Sequence, residues 1–458
     1  MSFEVIIVGG GYTGMVAAAA LSRAGVQVKV FEAALGTDPR FRGELIHPRG
    51  VRGLEQLGLK APLFKQGGVA VSGFAVTPGP GAEASILPYG EEQGPGLGID
   101  HHLMVRTLRT QVAARRNVTI ATGQRITDFV RDGSRVAGVR AETGETWRAD
   151  LVVVADGKQS RLRSVLGLEP NITLLSYTVA FSVKGELPHG RKGHVFLGAP
   201  GPILAYPYGE GLIRFCVDVS LGAAKGRQAM VDLLTREYAK VVPEGLREAM
   251  IASLRDEPFE GCANHAITTS NCAAPGVVLV GDAGGCSHPL TASGMTNAMN
   301  DVLTLAEEVA VAGPTDEALG EYQRRRYDFV RMRELFTDAL YEVFRGQDSG
   351  SRALQEGVFR YWASSMRSRD ASMNILSGEE VRISRFVSEY TRVFRGSAID
   401  VFGKLVKNPM HGTRTLSSLV KTTFGRLEVA AERAARRWVD HHRMELHQLP
   451  QKCYLAGS

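Results

Sequence analysis

Residues 4–32 read EVIIVGGGYTGMVAAAALSRAGVQVKVFE, and the order of residue types in this stretch decides the fold. Glu4 to Val8 is a short β-branched run with strand character. Gly9-Gly10-Gly11-Tyr12-Thr13-Gly14 follows, then an Ala-rich helical run from Met15 to Arg23, then a second strand from Gln27 to Phe31 that ends on Glu32. Each glycine has a mechanical reason: Gly9 permits the tight turn, Gly11 lets the backbone approach a pyrophosphate, and Gly14 lets helix and strand pack closely. Thr13 lies inside the same turn. Glu32, eighteen residues after Gly14, is placed to accept hydrogen bonds from both hydroxyls of an adenosine ribose. An acidic residue there disfavours a 2′-phosphate, so FAD or NAD(H) fits this site better than NADP.

Two later stretches extend the same sheet. Residues 149–157, ADLVVVADG, are an apolar strand ending on Asp156-Gly157; a run of Val buried on both faces is what parallel sheets use. Residues 277–302, VVLVGDAGGCSHPLTASGMTNAMNDV, form a strand ending on Gly281-Asp282, a small-residue loop, Pro289 and a helix. Asp282 would bind ribityl or ribose hydroxyls, and the positive end of the helix would face an anionic oxygen or nitrogen.

Composition sets outer bounds. At 458 residues the chain is too long for one ordinary domain, and 44% apolar with 22% charged residues is ordinary for a globular protein. No basic n-region or cleavage site precedes the first strand, and no apolar run reaches the length of a membrane span. The five cysteines (Cys216, Cys262, Cys272, Cys286, Cys453) lack CxxC or metal-ligand spacing, so free thiols in a reducing cytoplasm and no metal site are expected. Residues 401–458 carry ten Lys/Arg against four Asp/Glu, an excess of six that equals the net charge of the whole chain. Aromatic residues are not interleaved with those cations as a nucleic-acid groove would require. Leu416 to Trp438 reads either as a helix packed on the domains or as a basic amphipathic surface docking peripherally to the inner face of a membrane.

The expected architecture is α/β: a Rossmann-type FAD-binding domain, an inserted antiparallel-sheet substrate domain and a helical C-terminal region. The FAD-binding domain is expected over 1–70, 100–167 and 265–330, the substrate domain over 71–99 and 168–264, and the helical region over 331–458. Strand patterns at Thr178–Lys184, His194–Leu197, Ile203–Pro207 and Leu212–Val219 predict the roof of a substrate pocket, with a helix near Arg227–Tyr238. The C-terminal helices are expected to break near Gly346–Gly350, Ser377-Gly378 and Asn408-Pro409.

GxGxxG near residue 10, ADG near 156 and GDA near 282 together resemble the FAD-dependent aromatic hydroxylase superfamily, of which para-hydroxybenzoate hydroxylase is the type member. Within it, Arg40-Phe41-Arg42-Gly43-Glu44-Leu45-Ile46-His47-Pro48 is similar to the R-x-V-G-E-L-L-Q-P segment of the squalene monooxygenase (squalene epoxidase) family. His288-Pro289-Leu290-Thr291-Ala292-Ser293-Gly294-Met295-Thr296 is similar to that family's HPLTGGGMT, with Ala292 and Ser293 where it has glycines. Pro202-Ile203-Leu204-Ala205-Tyr206, Arg214 and Val217-Asp218-Val219 resemble its P-x-L-x-Y and R-x-L-V-D-V segments.

The resemblance implies that Gly9, Gly11, Thr13, Gly14 and Glu32 hold the ADP half of FAD, while Asp156, Gly157, Gly281 and Asp282 meet its middle. Pro289, Gly294 and Met295 would border the isoalloxazine ring, with Arg40, Gly43 and Glu44 beside the cofactor. His101 and Arg106 fall where related enzymes place flavin contacts, although a histidine at 101 also suits a plain helix start. His47 takes the place of the family's Gln. It reads either as an active-site group that orients substrate or exchanges a proton, or as a loop residue bonded to a carbonyl. Tyr206 reads as a pocket residue bonding a substrate group or a Gln-like partner, or as a half-buried strand tyrosine.

The activity implied is that of an FAD-dependent monooxygenase. A flavin C4a-hydroperoxide would epoxidise or hydroxylate a lipophilic isoprenoid or prenylated molecule, with O2 as co-substrate and NAD(P)H as reductant, directly or through a separate reductase. Aromatic-ring hydroxylation of a phenolic or polyketide-like metabolite is the first alternative, and an O2-independent prenyl reductase of the geranylgeranyl reductase type the second. A flavin halogenase is disfavoured because no WxWxIP segment exists. A flavin-binding partner protein without turnover is the last alternative.

Overall fold

The computed structural model describes residues 4–37, 41–407, 413–421 and 423. Arg40, the Asn408-Pro409 break and most of the basic C-terminal segment lie outside the described residues.

The N-terminal strand Glu4–Val8 is central to a six-stranded sheet. Gln27–Glu32 and then Val118–Thr122 pair in parallel on one side of it; Leu151–Val154 and then Val277–Leu279 do so on the other. Ala273–Ala274 closes the edge antiparallel. Val5, Ile6, Ile7 and Val152 to Val154 are fully buried. This is why the runs are continuous rather than alternating: helices cover both faces of a parallel sheet. The helix Tyr12–Arg23 buries Met15 to Leu21 through small Ala side chains, which lets it lie close to the sheet. A three-stranded meander, Ile126–Asp132, Arg135–Ala141 and Thr146–Arg148, follows the last parallel strand on that side.

The second layer is an eight-stranded sheet in the order Gly285–Cys286, Glu260–Thr268, Asn171–Lys184, Leu212–Val219, Ile203–Gly209, Gly193–Phe196, Gly73–Thr77, Ser85–Pro88. All pairs are antiparallel except Gly193–Phe196 with Gly73–Thr77. The segment 69–98 is split: Gly73–Thr77 and Ser85–Pro88 edge this sheet, whereas Val69–Val71 and Gly96–Gly98 form a small sheet with Leu45–Ile46. Directly paired residues share a face, so Ser182, Tyr206 and Arg214 point together, as do Leu204 and Cys216. The other face carries Phe181, Ile203, Phe215 and Val217, covered by the helices Arg227–Leu233 and Glu244–Asp256. The first of these continues only as a π-helical turn over Leu234–Tyr238.

The C-terminal helices are Asp316–Arg345, Ser349–Ser364, Met366–Ser377 and Ile383–Lys407. The first and third end at Gly346 and Gly378, both left-handed, as their sequence signals imply. The break after Ser364 was not foreseen; Ser365 makes it by capping the next helix through Ser368 N–H. Tyr341, Phe344, Leu354 and Trp362 from these helices pack in one core with Phe74, Leu87, Leu204 and Tyr206 of the sheet. No helix among the described residues is long and apolar enough to cross a membrane.

Candidate active site

Parallel pairing brings the C-terminal ends of four strands, Val8, Glu32, Val154 and Leu279, to one edge of the first sheet. Open α/β sheets bind ligands in the crevice outside that edge. Gly9 turns there at φ +109°, and a Cβ on it would lie 2.4 Å from the Ala155 carbonyl oxygen. A Cβ on Gly14 would lie 1.8 Å from the Gly9 carbonyl oxygen, so both positions exclude a side chain. Gly11 is different: nothing stands within 4 Å of its missing Cβ, leaving open space against the helix start. Glu32 accepts from Gly10 N–H at 2.7 Å and Ala34 N–H at 2.8 Å, and Arg109 lies 3.3 Å away. A carboxylate has about four lone-pair sites, so capacity for ligand hydroxyls is left.

The remaining glycine-flanked segments join in a chain of contacts. Gly281, left-handed at φ +59°, packs so tightly on Thr13 that a Cβ would meet its Oγ1 at 2.8 Å. Asp282 keeps partial solvent contact but sits deep enough that desolvation raises its pKa, with Lys158 and Arg42 opposing the shift. Desolvation raises Asp156 as well, and its Oδ1 is buried without a partner. Gly43 stands against the Met295 side chain, and its carbonyl bonds His101 Nδ1 at 2.9 Å. The helix Gly294–Ala312 begins after Ser293 with no side-chain cap, as Tyr12–Arg23 does after Gly11. Nothing lies within 4 Å of the missing Cβ of Gly294. Two uncapped helix starts, open glycine surfaces and an unpartnered buried carboxylate oxygen suit a dinucleotide with an anionic centre and a ring edge.

Arg106 stands apart from this assembly. It lies on the exposed face of the helix His101–Ala113, and Arg109 is the cation that reaches in, bonding the Gly10 carbonyl at 2.8 Å and the Gly36 carbonyl at 2.9 Å. Two further braces escaped the sequence reading. Arg163 donates to the Ala283 carbonyl at 2.9 Å and to the Lys158 carbonyl at 3.2 Å, tying the GDA turn to the ADG turn. Asp301 accepts Gly281 N–H at 2.9 Å and Arg326 Nε at 3.0 Å. Burial opposes the Arg326 charge, but Asp301 outweighs it and raises the guanidinium pKa well above its usual value.

The residues expected on the substrate side behave unlike free acids and bases. His47 is fully buried; its Nδ1 is 2.7 Å from the Tyr89 hydroxyl and its Nε2 2.8 Å from the Thr291 carbonyl oxygen. The carbonyl only accepts, so Nε2 carries the proton and Nδ1 accepts from Tyr89. Burial lowers the pKa of His47 to about 4. It is thus a neutral tie between the Leu45–Ile46 strand and the Pro289 turn, and the proton-exchange reading finds no free nitrogen. Glu44, expected beside the cofactor, is clamped by Arg214 through Nε at 2.8 Å and Nη2 at 2.7 Å. Arg214 also donates to Ser182 and lies over the Tyr208 ring at 4.4 Å. Tyr206 reaches Glu44 at 3.4 Å, and burial raises its phenol pKa well above normal, so it is a donor rather than a base.

A parallel sheet with its glycine-lined crevice, roofed by a second sheet, is the architecture of the FAD-dependent monooxygenases. Klebsiella pneumoniae HpxO, solved with FAD and uric acid, matches it with a TM-score of 0.70 at 24% identity over 82% of this chain and 97% of that one. The chain belongs to the squalene epoxidase family: that family's model matches residues 148–407, and a model of the NAD(P)-binding Rossmann-like domain matches 7–57. It is 31% identical to squalene epoxidase erg1 of Aspergillus fumigatus, over 78% of this chain and 79% of the relative. Squalene epoxidase 3 of Arabidopsis thaliana is 29% identical over 91% of this chain and 82% of its own length. The protein is an FAD-dependent monooxygenase with NAD(P)H as reductant.

Proposed function

We propose that the protein epoxidises a double bond of a lipophilic isoprenoid, with the crevice between the two sheets as the reaction site. The observation that carries this reading is that neither side chain expected to act on the substrate, His47 or Tyr206, is free to take a proton. Ring hydroxylation of a phenol needs a group that takes a proton near neutral pH. His47 has both nitrogens engaged and a pKa of about 4, and Tyr206 is held protonated. An olefin needs no such base, which suits the family's chemistry.

Bound and reduced, FAD supplies the activation of O2 and delivery of one oxygen atom. The chain's own residues bind, orient and exclude water. Gly9, Gly11, Thr13, Gly14 and Glu32 hold the ADP half; Asp156, Gly157, Gly281 and Asp282 hold the centre. Pro289, Gly294, Met295, Gly43 and His101 border the ring, where the uncapped helix start favours negative charge on the reduced flavin. Glu44 with Arg214 fixes the roof, and His47 with Tyr89 fixes the Pro289 turn beneath it. We assign the FAD-binding unit to 1–70, 100–167 and the segment from 265 to the start of the helix Asp316–Arg345, the substrate unit to 71–99 and 168–264, and the third unit to the helices from Asp316–Arg345 to Ile383–Lys407.

Asp282→Ala tests the cofactor assignment: the variant should fold but lose FAD on desalting, and wild-type FAD retention would remove it. A product 16 Da heavier than a supplied isoprenoid olefin, such as squalene, tests the reaction; oxidation of a phenol instead would overturn it. Peripheral contact with anionic membrane through the basic C-terminal segment is the finer proposal. Co-sedimentation with phosphatidylserine vesicles should fall when residues 401–458 are removed, and unchanged binding would refute it.

A further inference from the structure

Behind Pro289, five segments far apart in the chain bring polar side chains into one buried cluster. Ser176, Asp218, Asn264, His288 and Tyr341 are each no more than 7% exposed. They stand on three neighbouring strands of the roof sheet, on the turn before Pro289 and on the helix Asp316–Arg345. Asp218 Oδ1 accepts from Ser176 Oγ and from His288 Nε2 at 3.1 Å, while Oδ2 accepts the Tyr341 hydroxyl at 3.2 Å. The Tyr341 ring stacks on the imidazole with centroids 3.9 Å apart. Asn264 donates to Ser176 at 2.9 Å and accepts from Thr178 at 3.0 Å.

The hydrogen-bond directions settle the state of the imidazole. Leu290 N–H donates to His288 Nδ1 at 3.1 Å, so Nδ1 is unprotonated and Nε2 carries the proton, which faces Asp218 Oδ1 at 3.1 Å and Ser176 Oγ at 3.0 Å, the latter itself a donor to Asp218. Asp218 therefore selects one neutral tautomer, and that tautomer caps the short turn Pro289–Thr291. Beyond that turn Ala292 adopts a left-handed conformation and the helix Gly294–Ala312 begins. A carboxylate buried among neutral donors is a poor device for stability alone, since apolar residues of similar volume often do as well. Its particular yield is geometric: it fixes which imidazole nitrogen is free to hold the turn.

We propose that Asp218 and His288 are positioning residues of the oxygen-transfer site, with Asp218 acting through the His288 tautomer to set the Pro289–Thr291 turn against the isoalloxazine ring. The inference rests on the placement of the flavin ring beside Pro289 to Met295. Asp218→Asn keeps the shape but leaves one neutral acceptor oxygen in place of a carboxylate, so the hold on the His288 Nε2 proton weakens, and is lost where the amide N–H turns to His288. The full-length holoenzyme should retain stoichiometric FAD, yet its flavin visible circular dichroism should change. kcat for an isoprenoid olefin such as squalene should fall about ten-fold or more, with KM within about three-fold, as misplacement away from the reacting atoms does. Tyr341→Phe, which removes only the donor to Oδ2, should move both readouts the same way by less, and it serves where Asp218→Asn does not fold. Thr178→Val, which removes a hydroxyl bonded to Asn264 and not to Asp218 or His288, leaves the tautomer intact and should leave the flavin spectrum unchanged.

An unaltered flavin spectrum in Asp218→Asn, or in Tyr341→Phe where that variant alone folds, would overturn the inference. If Asp282→Ala loses FAD while the spectrum is indifferent to Asp218 and Tyr341, only the positioning role fails. If Asp282→Ala retains FAD at wild-type affinity, the placement of the cofactor fails with it.

Discussion

Arg326→Met isolates the brace beneath the GDA turn. Asp301 is 2% exposed at its side chain and Arg326 8%, and the carboxylate also holds Gly281 N–H. Removing the guanidinium leaves a buried charge with one backbone donor. The cheapest response is protonation of Asp301, which at pH 7 costs about 1.4 kcal/mol for each unit above an ordinary aspartate pKa near 4, or roughly 4 kcal/mol. That agrees with the roughly 3–5 kcal/mol for breaking buried pairs. Burial already raises the Asp301 pKa against the opposing Arg326, and losing the guanidinium raises it further, so the folded variant binds the extra proton and the penalty grows as pH rises from about 4. The stability difference from wild type, by urea unfolding followed through flavin-free tryptophan fluorescence, should be roughly 4 kcal/mol at pH 7 and shrink by about 2–3 kcal/mol at pH 5. The double variant Arg326→Met/Asp301→Asn should recover much of the loss by removing the charge. A loss under about 1 kcal/mol, or one that does not shrink at pH 5, would refute the reasoning.

Two other outcomes follow from single residues. His47 has a folded pKa of about 4, below its ordinary value near 6.5. The stability it contributes as a neutral side chain is full above about pH 6.5 and is lost as pH falls towards 4, up to roughly 3 kcal/mol. His47→Gln, which cannot titrate, should flatten the unfolding free energy across that window, and an unchanged slope would show that His47 protonates freely in the fold. Ala292 holds φ +49° and ψ +24°, a left-handed conformation that costs an L residue about 1–2 kcal/mol. Ala292→Gly relieves it but gains entropy in the unfolded chain, so the net stabilisation should be about 0.5–1 kcal/mol, read as a melting midpoint raised by about 0.5–1 °C. A lower midpoint would mean that the Ala methyl packs there more usefully than the backbone strain costs.

What the sequence made legible was local. Gly9 to Gly14 and Glu32 belong to one βαβ unit, where spacing alone sets which backbone groups meet. Their placement needs only the strand–turn–helix order that the sequence displays. Arg109 was within reach of the same reasoning: Val105, Leu108 and Val112 are the buried stripe of their helix, so Arg109 lies next to the core and Arg106 across from it. The helical phase, properly applied, chooses between the two. The other misses are of another kind. His47 meets Tyr89 across 42 positions, Asp301 meets Arg326 across 25 and Glu44 meets Arg214 across 170. Each pair depends on how two elements pack, and nothing in the residue types announces the partner. The HPLTASGMT segment joins both kinds. Its order places a turn before a helix by local rules, yet the turn's shape is held from outside: by His47 on the Thr291 carbonyl and by Asp218 through His288. An Ala in a left-handed position, where glycine is the ordinary residue, is tolerable under such clamps, because surrounding bonds over-determine the backbone. The substitution that looked like a departure at the flavin face is thus a test of how firmly the buried network holds it.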